Sequence, residues 1–231
     1  MCQIHYSDIN ILYEDNHLLV AEKPVNIPSQ EDVTGDKDML TLLKEYIKIK
    51  YDKPGRVYLG LVHRLDRPAG GVMVFAKTSK AASRLSKQLR DDQLEKRYLA
   101  VVRGIPWEKH RKNLVHYLIK DNRRNIVRAV EAQTKGAKKA VLDYDVLSEA
   151  EDMALVKINL HTGRPHQIRV QLAAIGHPLY GDQKYGKYIN KPGQQMALWA
   201  QSISLIHPTL RETMEFSLLP HSIYPWNLFT F

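Results

Sequence analysis

The sequence predicts an α+β fold in which a mainly antiparallel, mixed sheet is flanked by helices and loops. Three observations predict it. Short apolar runs of strand length recur from Ile9 to Leu218, set off by turn residues such as Asp15-Asn16 and Pro54-Gly55. Only three stretches carry the apolar spacing of a helix. No internal repeat, low-complexity tract or linker composition breaks the chain, so its 231 residues are expected to form one domain, 1–231.

The elements follow in order. Ile9–Glu14 and His17–Glu22 read as a strand pair across Asp15-Asn16. Lys23-Pro24 ends the pair, and Lys23 by itself reads as a solvated strand end. Ser29–Asp38 is polar and reads as a mobile loop. Leu40, Leu43 and Ile47 recur at helical spacing, which predicts a helix over Met39–Ile49. Val57–Val62 and Val72–Ala76 read as strands on either side of a charged loop. Thr78 or Ser79 can cap a helix with Ala82, Leu85 and Leu89 on its buried stripe. Lys96–Val102, Leu114–Ile119, Ala140–Leu147 and Ala154–Leu160 are strand-like. Pro165 suits the first turn of a helix with Ile168, Leu172 and Ile175 on one face and Gly176 at its end. Gln195–Ala200, Ile203–His207 and Glu212–Leu218 return to the sheet, and the aromatic tail to Phe231 is expected to dock.

Charge narrows the function. The net charge is +9, and it is localised. From Arg84 to Lys139 the chain carries 16 Lys/Arg against 6 Asp/Glu, a net of +10, while the remainder nets −1. One segment carrying the whole excess favours a face for a polyanion, although a plain solvated basic surface has the same composition. Lys120-Asp121-Asn122-Arg123-Arg124-Asn125 is its most turn-rich part, and such a hairpin can track phosphates. A single cysteine, Cys2, excludes an internal disulfide and a cysteine-rich zinc site. His161, His166 and His177 match no zinc spacing, so no metal is expected. No apolar run approaches a membrane span and nothing resembles a signal peptide, so a soluble, cytoplasmic protein is expected, with no membrane association.

The stretch most able to carry chemistry is His63-Arg64-Leu65-Asp66-Arg67, running through Ala69-Gly70-Gly71 into the Val72–Ala76 strand. A carboxylate between two arginines, on a loop at a sheet edge, is an anionic oxygen held in positive surroundings. An ion pair that merely pins a loop has the same pattern. The stretch resembles the catalytic motif of the RluA-type pseudouridine synthases, His-Arg-Leu-Asp with a Ser-Gly three residues on. Ala69-Gly70-Gly71 stands where Thr-Ser-Gly is commoner, so the hydroxyls of that turn are missing. Lys23-Pro24 resembles the family's first motif. Thr162-Gly163-Arg164-Pro165-His166-Gln167-Ile168-Arg169 resembles its third motif, and His177–Gly186 a loop beside its active site. Gln171 and Trp199 stand where histidine is usual. The resemblance spans roughly Ile9 to Leu218, and the small RNA-binding domain that precedes the catalytic part in several relatives is expected to be absent.

The resemblance implies a pseudouridine synthase-type domain acting on ribosomal or transfer RNA. It implies Asp66 as the catalytic carboxylate, Arg169 as its ion-pair partner and Tyr98 as a residue that stacks on the base and could take a proton. It places Arg64, His63, Arg164 and Leu198 around the substrate, with Arg64 filling the gap left by the displaced nucleotide. It assigns the hairpin with Arg123 and Arg124 to RNA binding. No cofactor is implied, because the reaction is an isomerisation without redox change, and no obligatory protein partner, so a monomer is expected. Two rivals share these features. A base-excising glycosidase also needs a carboxylate near the anomeric carbon and a basic groove. An RNA-binding module without activity would keep the fold alone.

Overall fold

Two neighbouring strands, β2 (Leu18–Lys23) and β4 (Gly70–Ala76), are buried along their whole length. Strands covered on both faces read as continuous apolar runs, as both do here until the last two residues of β2, Glu22 and Lys23. They pair antiparallel from Leu18 opposite Ala76 to Lys23 opposite Gly71. In this computed structural model, which describes residues 4–108 and 112–231, the chain forms two compact units. Cys2, together with Lys109 and Arg111 of the basic segment, lies outside the described residues.

The first unit comprises residues up to Glu95 together with Ala200–Leu218. β1 (Ile11–Glu14) pairs with β2 across the predicted turn. β3 is only Gly60–Leu61, paired with Ala76 and Phe75 of β4. The expected strand over Val57–Val62 is reduced to these two residues, and beyond Leu61 its ladder position is taken by His63, whose ring Nε2 accepts from the Val74 N–H. The two expected strands Gln195–Ala200 and Ile203–His207 form one strand, β10 (Leu198–Ile206), and β11 (Thr213–Ser217) folds back on it antiparallel. Helix α1 (Met39–Lys50) is capped by Asp38, whose carboxylate accepts from the backbone of Leu40 and Thr41. It buries Met39, Leu42, Leu43 and Ile47, so its stripe is rotated slightly from Leu40. Helix α2 (Ser79–Arg90) is capped by Thr78 and buries Ala81, Leu85 and Gln88. Gln88 is tolerated on that stripe because its amide bonds both the N–H and the C=O of Ile206. Leu18, Val20, Val72, Val74, Leu85, Ile203 and Leu205 meet in one core.

The second unit comprises Lys96–Trp199 and Leu219–Phe231. Strands β5 (Glu95–Arg103), β6 (Lys112–Asp121), β7 (Ile126–Val130), β8 (Lys138–Ala150) and β9 (Met153–Leu160) form antiparallel ladders in the order β5-β9-β8-β6-β7. β6 and β7 are the two arms of the predicted basic hairpin. Helix α3 (Gln167–Ala174) packs on both. It starts two residues later than Pro165 because His166 adopts a left-handed backbone, φ 51°. Gly176, φ 86°, follows its end as expected, and the His177 N–H returns to Leu172 O. Gln171 is fully buried, and its amide donates to Leu114 O, which accounts for an amide at that position. In the tail, Trp226 and Phe229 are buried and Tyr224 meets Tyr180 edge to face.

One polar knot closes the first unit's edge. The Glu14 carboxylate accepts from Lys50 and Lys77 at 2.7 Å each and from the hydroxyls of Tyr46 and Tyr51 at 2.9 and 3.0 Å. Burial raises the pKa of this carboxyl, but four donors outweigh it and pull it from the ordinary 4.5 to about 2. The unfolded chain therefore binds the proton more tightly, and the stabilisation present above pH 4.5 is lost as pH falls toward 2. Glu14→Gln should cost about 2 kcal/mol at neutral pH. Urea unfolding of both proteins near pH 7 and near pH 3 checks this, since the gap between them should narrow in acid. An equal gap at both would remove the carboxylate from the account.

Candidate active site

The charged loop between β3 and β4 is fastened from its backbone. A tight turn closes where the Ala69 N–H donates to Asp66 O at 2.9 Å. Ser29, buried, donates its hydroxyl to Leu65 O at 2.8 Å and accepts from Leu65 N at 3.1 Å. Arg67 turns its guanidinium to the preceding loop, donating to Asn26 O, to the Thr34 hydroxyl and to the Asp36 carboxylate. Ser29–Asp38, expected as a mobile loop, is thus fastened to the motif through Ser29, Thr34 and Asp36. His63 points inward to Val74, while Arg64 is exposed and Asp66 half-buried. The residues on either side of Asp66 hold the loop, and Asp66 itself is half-buried.

Lys23 completes the fastening. Its side chain is fully buried, so the solvated strand end is not what forms. Its Nζ donates to Pro24 O at 3.0 Å, Arg67 O at 3.0 Å and Ala69 O at 2.6 Å. In its ammonium form Lys23 has one N–H for each of these three carbonyls. Burial pushes this ammonium down to about 7, the Asp66 carboxylate opposes the fall and the Arg67 charge adds to it. Opposite Lys23, Gly71 has φ 117°, and a Cβ there would lie 2.3 Å from Ala200 O. Only glycine lets β4 leave the loop at this point.

The second unit holds the other candidates. Arg169, buried on α3, donates Nε and Nη2 to the two oxygens of Asp182, each at 2.8 Å. Asp182 also accepts from the backbone of Lys184 and Tyr185. Burial raises its pKa, but Arg169 and these N–H groups outweigh that and hold it below the usual carboxylate range. A two-point fork of this kind fixes the plane of the guanidinium. The Tyr185 ring lies 5.2 Å from the Arg169 guanidinium carbon. Arg164 is anchored by Nε to Lys139 O, and its N–H goes to the Gln167 side chain, which also accepts from the Thr162 hydroxyl and donates to Val141 O. Tyr98 stands on β5 opposite Ile158, buried, and Leu198 opens β10, also buried. Arg123 and Arg124 are exposed at the tip between β6 and β7, where Asp121 accepts from both backbone N–H groups. His161, His166 and His177 go separately to Asp143, to the Tyr185 hydroxyl and to Arg103 O.

Residues 17–174 match the family model described as RNA pseudouridylate synthase. An RNA pseudouridine synthase of Aquifex aeolicus, itself described as uncharacterized, is 34% identical over 94% of this chain and 72% of its own length. The chain belongs to the RNA pseudouridylate synthase family. It is an isomerase acting on RNA. Ribosomal large subunit pseudouridine synthase C of Buchnera aphidicola subsp. Schizaphis graminum is 34% identical over 93% of this chain and 68% of the relative. Among solved structures, human RNA pseudouridylate synthase domain containing 4 superposes with a TM-score of 0.77 at 25% identity, covering 92% of this chain and 89% of that one. The expected pseudouridine synthase-type α+β fold is the fold observed. No helix among the described residues is long and apolar enough to cross a membrane.

Sequence reasoning missed three groups that shape these sites: Ser29 and Asp182 as anchors, and Lys23 as a buried cation. Lys23 carries a measurable signature. Between about pH 7 and the ordinary lysine value of 10.5, the unfolded chain holds the proton and the folded chain gives it up. Stability therefore rises with pH across that window. Lys23→Met fills the same space without a titrating group. Unfolding free energies near pH 6.5 and near pH 9 should show the wild type gaining on this variant as pH rises. A difference that does not change with pH would mean that Lys23 keeps its proton throughout.

Proposed function

We propose that this protein converts specific uridines of ribosomal or transfer RNA to pseudouridine with Asp66 as the reacting carboxylate. The observation that carries the reading is the fastened loop, in which the groups around Asp66 are spent on holding it and the carboxylate stays half-buried. Conversion breaks the bond between C1′ and N1 and forms one between C1′ and C5. C5 gives up its proton and N1 ends with one, so the product is an isomer and no electrons are exchanged. Asp66 can serve by attacking the sugar, attacking the base, or removing a sugar proton. All three routes need the ionised acid.

The other roles are those that the family resemblance implies. The uridine has to leave its stack to be reached, at a cost of a few kcal/mol. Arg64, exposed beside Asp66 in the chain, fills the space it vacates. Arg169 pairs with Asp66, its plane set by Asp182. Tyr98 stacks on the ring and Leu198 packs beside it. Arg164, Arg123 and Arg124 meet phosphates, with His63 keeping the loop in register from within. The family match runs through stretches of both units, which supports reading 1–231 as one catalytic domain. The Buchnera relative's name favours ribosomal RNA among the possible substrates.

The test is to incubate the purified protein with ribosomal RNA and with transfer RNA lacking modification, digest to nucleosides and separate the products. Pseudouridine in either RNA is the expected result. Free uracil with an abasic sugar would make the protein a glycosidase, and unchanged uridine in both would contradict the proposal.

A further inference from the structure

The turn that follows Asp182 presents an aromatic ring for which the fold gives no use. Its frame is rigid by construction. Asp182 is buried under Arg169, and Asn190 is buried with its amide on Leu179 O and its oxygen accepting from Arg103 Nε. Between them the N–H groups of Gly186, Ile189 and Asn190 close on Asp182 O and Gly186 O at 2.9–3.1 Å. Gln183 reaches across to Lys191 O. From this frame Tyr188 projects with 93% of its surface exposed, and Ile189 beside it is half exposed. Lys187 Nζ lies over the Tyr188 ring, 4.8 Å from its centre.

The same turn is bolted to the basic hairpin. Lys184 Nζ donates to Asn125 O at 2.8 Å, and the Tyr185 hydroxyl accepts from Val127 N at 2.9 Å. Tyr188 therefore stands on a turn bonded to the hairpin that carries Arg123 and Arg124, with Lys187 and Lys191 exposed on its own turn. A single exposed aromatic needs no explanation by itself. One held on a fixed turn, edged by cations and joined to a basic hairpin, has the two components of single-stranded nucleic-acid recognition: a π-face for a base and positive charge for its phosphates. A protein partner with an apolar patch would meet uncompensated positive charge around the ring.

We propose that Tyr188 is a stacking platform for an unpaired base of the RNA, outside the residues assigned to isomerisation, with Lys187 and Lys191 on the flanking phosphates. This rests on the reading of the protein as an RNA-acting enzyme and adds a preference for substrates with an unpaired nucleotide at that point. The probes are an RNA stem–loop and the matching blunt duplex, titrated by filter binding with wild type, Tyr188→Ala and Tyr188→Phe. Tyr188→Ala should weaken stem–loop binding by about 5- to 100-fold and leave duplex binding unchanged. Tyr188→Phe, which keeps the ring, should bind like wild type. At saturating RNA the turnover of Tyr188→Ala should match wild type, with KM raised. The ring is exposed, so the thermal midpoint should not move.

Failures of the two readings separate cleanly. Wild type that binds neither probe would contradict RNA binding itself. Wild type that binds both while Tyr188→Ala binds both equally well would overturn the platform alone. Equal losses on duplex and stem–loop would overturn base stacking. An unchanged RNA affinity with an altered mass in sedimentation would assign the ring to a protein contact instead.

Discussion

A lysine side chain with no solvent around it is the contact on which the Asp66 loop depends. Burying such a charge is costly unless it is fully partnered. Lys23 is partnered by three backbone carbonyls, two of them contributed by the Asp66 loop. The loop cannot move as a body without stranding that charge, so its backbone is fixed from beneath. Ser29 fixes Leu65, and Gly71 lets β4 pass Ala200 closely enough for the strand to leave at the right point. Asp66 inherits its position from groups that never need to touch a substrate. Its neighbour in charge, Lys23, also contributes positive potential from below.

Asp182 has the corresponding part in the second unit. One carboxylate fixes the Arg169 guanidinium with both oxygens and the backbone of Lys184 and Tyr185 with one of them. The arginine assigned to chemistry and the turn that carries Tyr188 therefore share an anchor. Truncating Asp182 would remove the fork that fixes the Arg169 guanidinium and release the turn at once. In this sense the turn proposed to meet RNA and the arginine proposed for the chemistry are tied to a single side chain.

Much of this was legible because it is local. His63–Arg67 and Thr162–Arg169 are contiguous, and the helix stripes and hairpin turns carry their period within a few residues. What was not legible depends on distant partners. Lys23 looks like a solvated strand end until carbonyls 44 and 46 residues away close over it. Val57–Val62 has a strand's composition, yet a histidine ring takes the ladder position that the strand would need. Pro165 favours a helix start, and His166 delays it by a left-handed backbone. Ser29 gave no signal at all, because a buried serine and a loop serine share the same neighbours in sequence. The aromatic at Tyr188 was equally silent, since exposure on a fixed turn is a property of the frame around it.

The central claim is that the fastened loop exists to present one ionised oxygen. Single-turnover conversion of a substrate RNA with enzyme in excess, run beside a binding titration, tests it on Asp66→Asn. The substitution keeps size and shape and removes the charge. RNA affinity should be unchanged and the pseudouridine yield indistinguishable from background. A variant that binds equally well and still forms pseudouridine at a measurable fraction of the wild-type rate would contradict it.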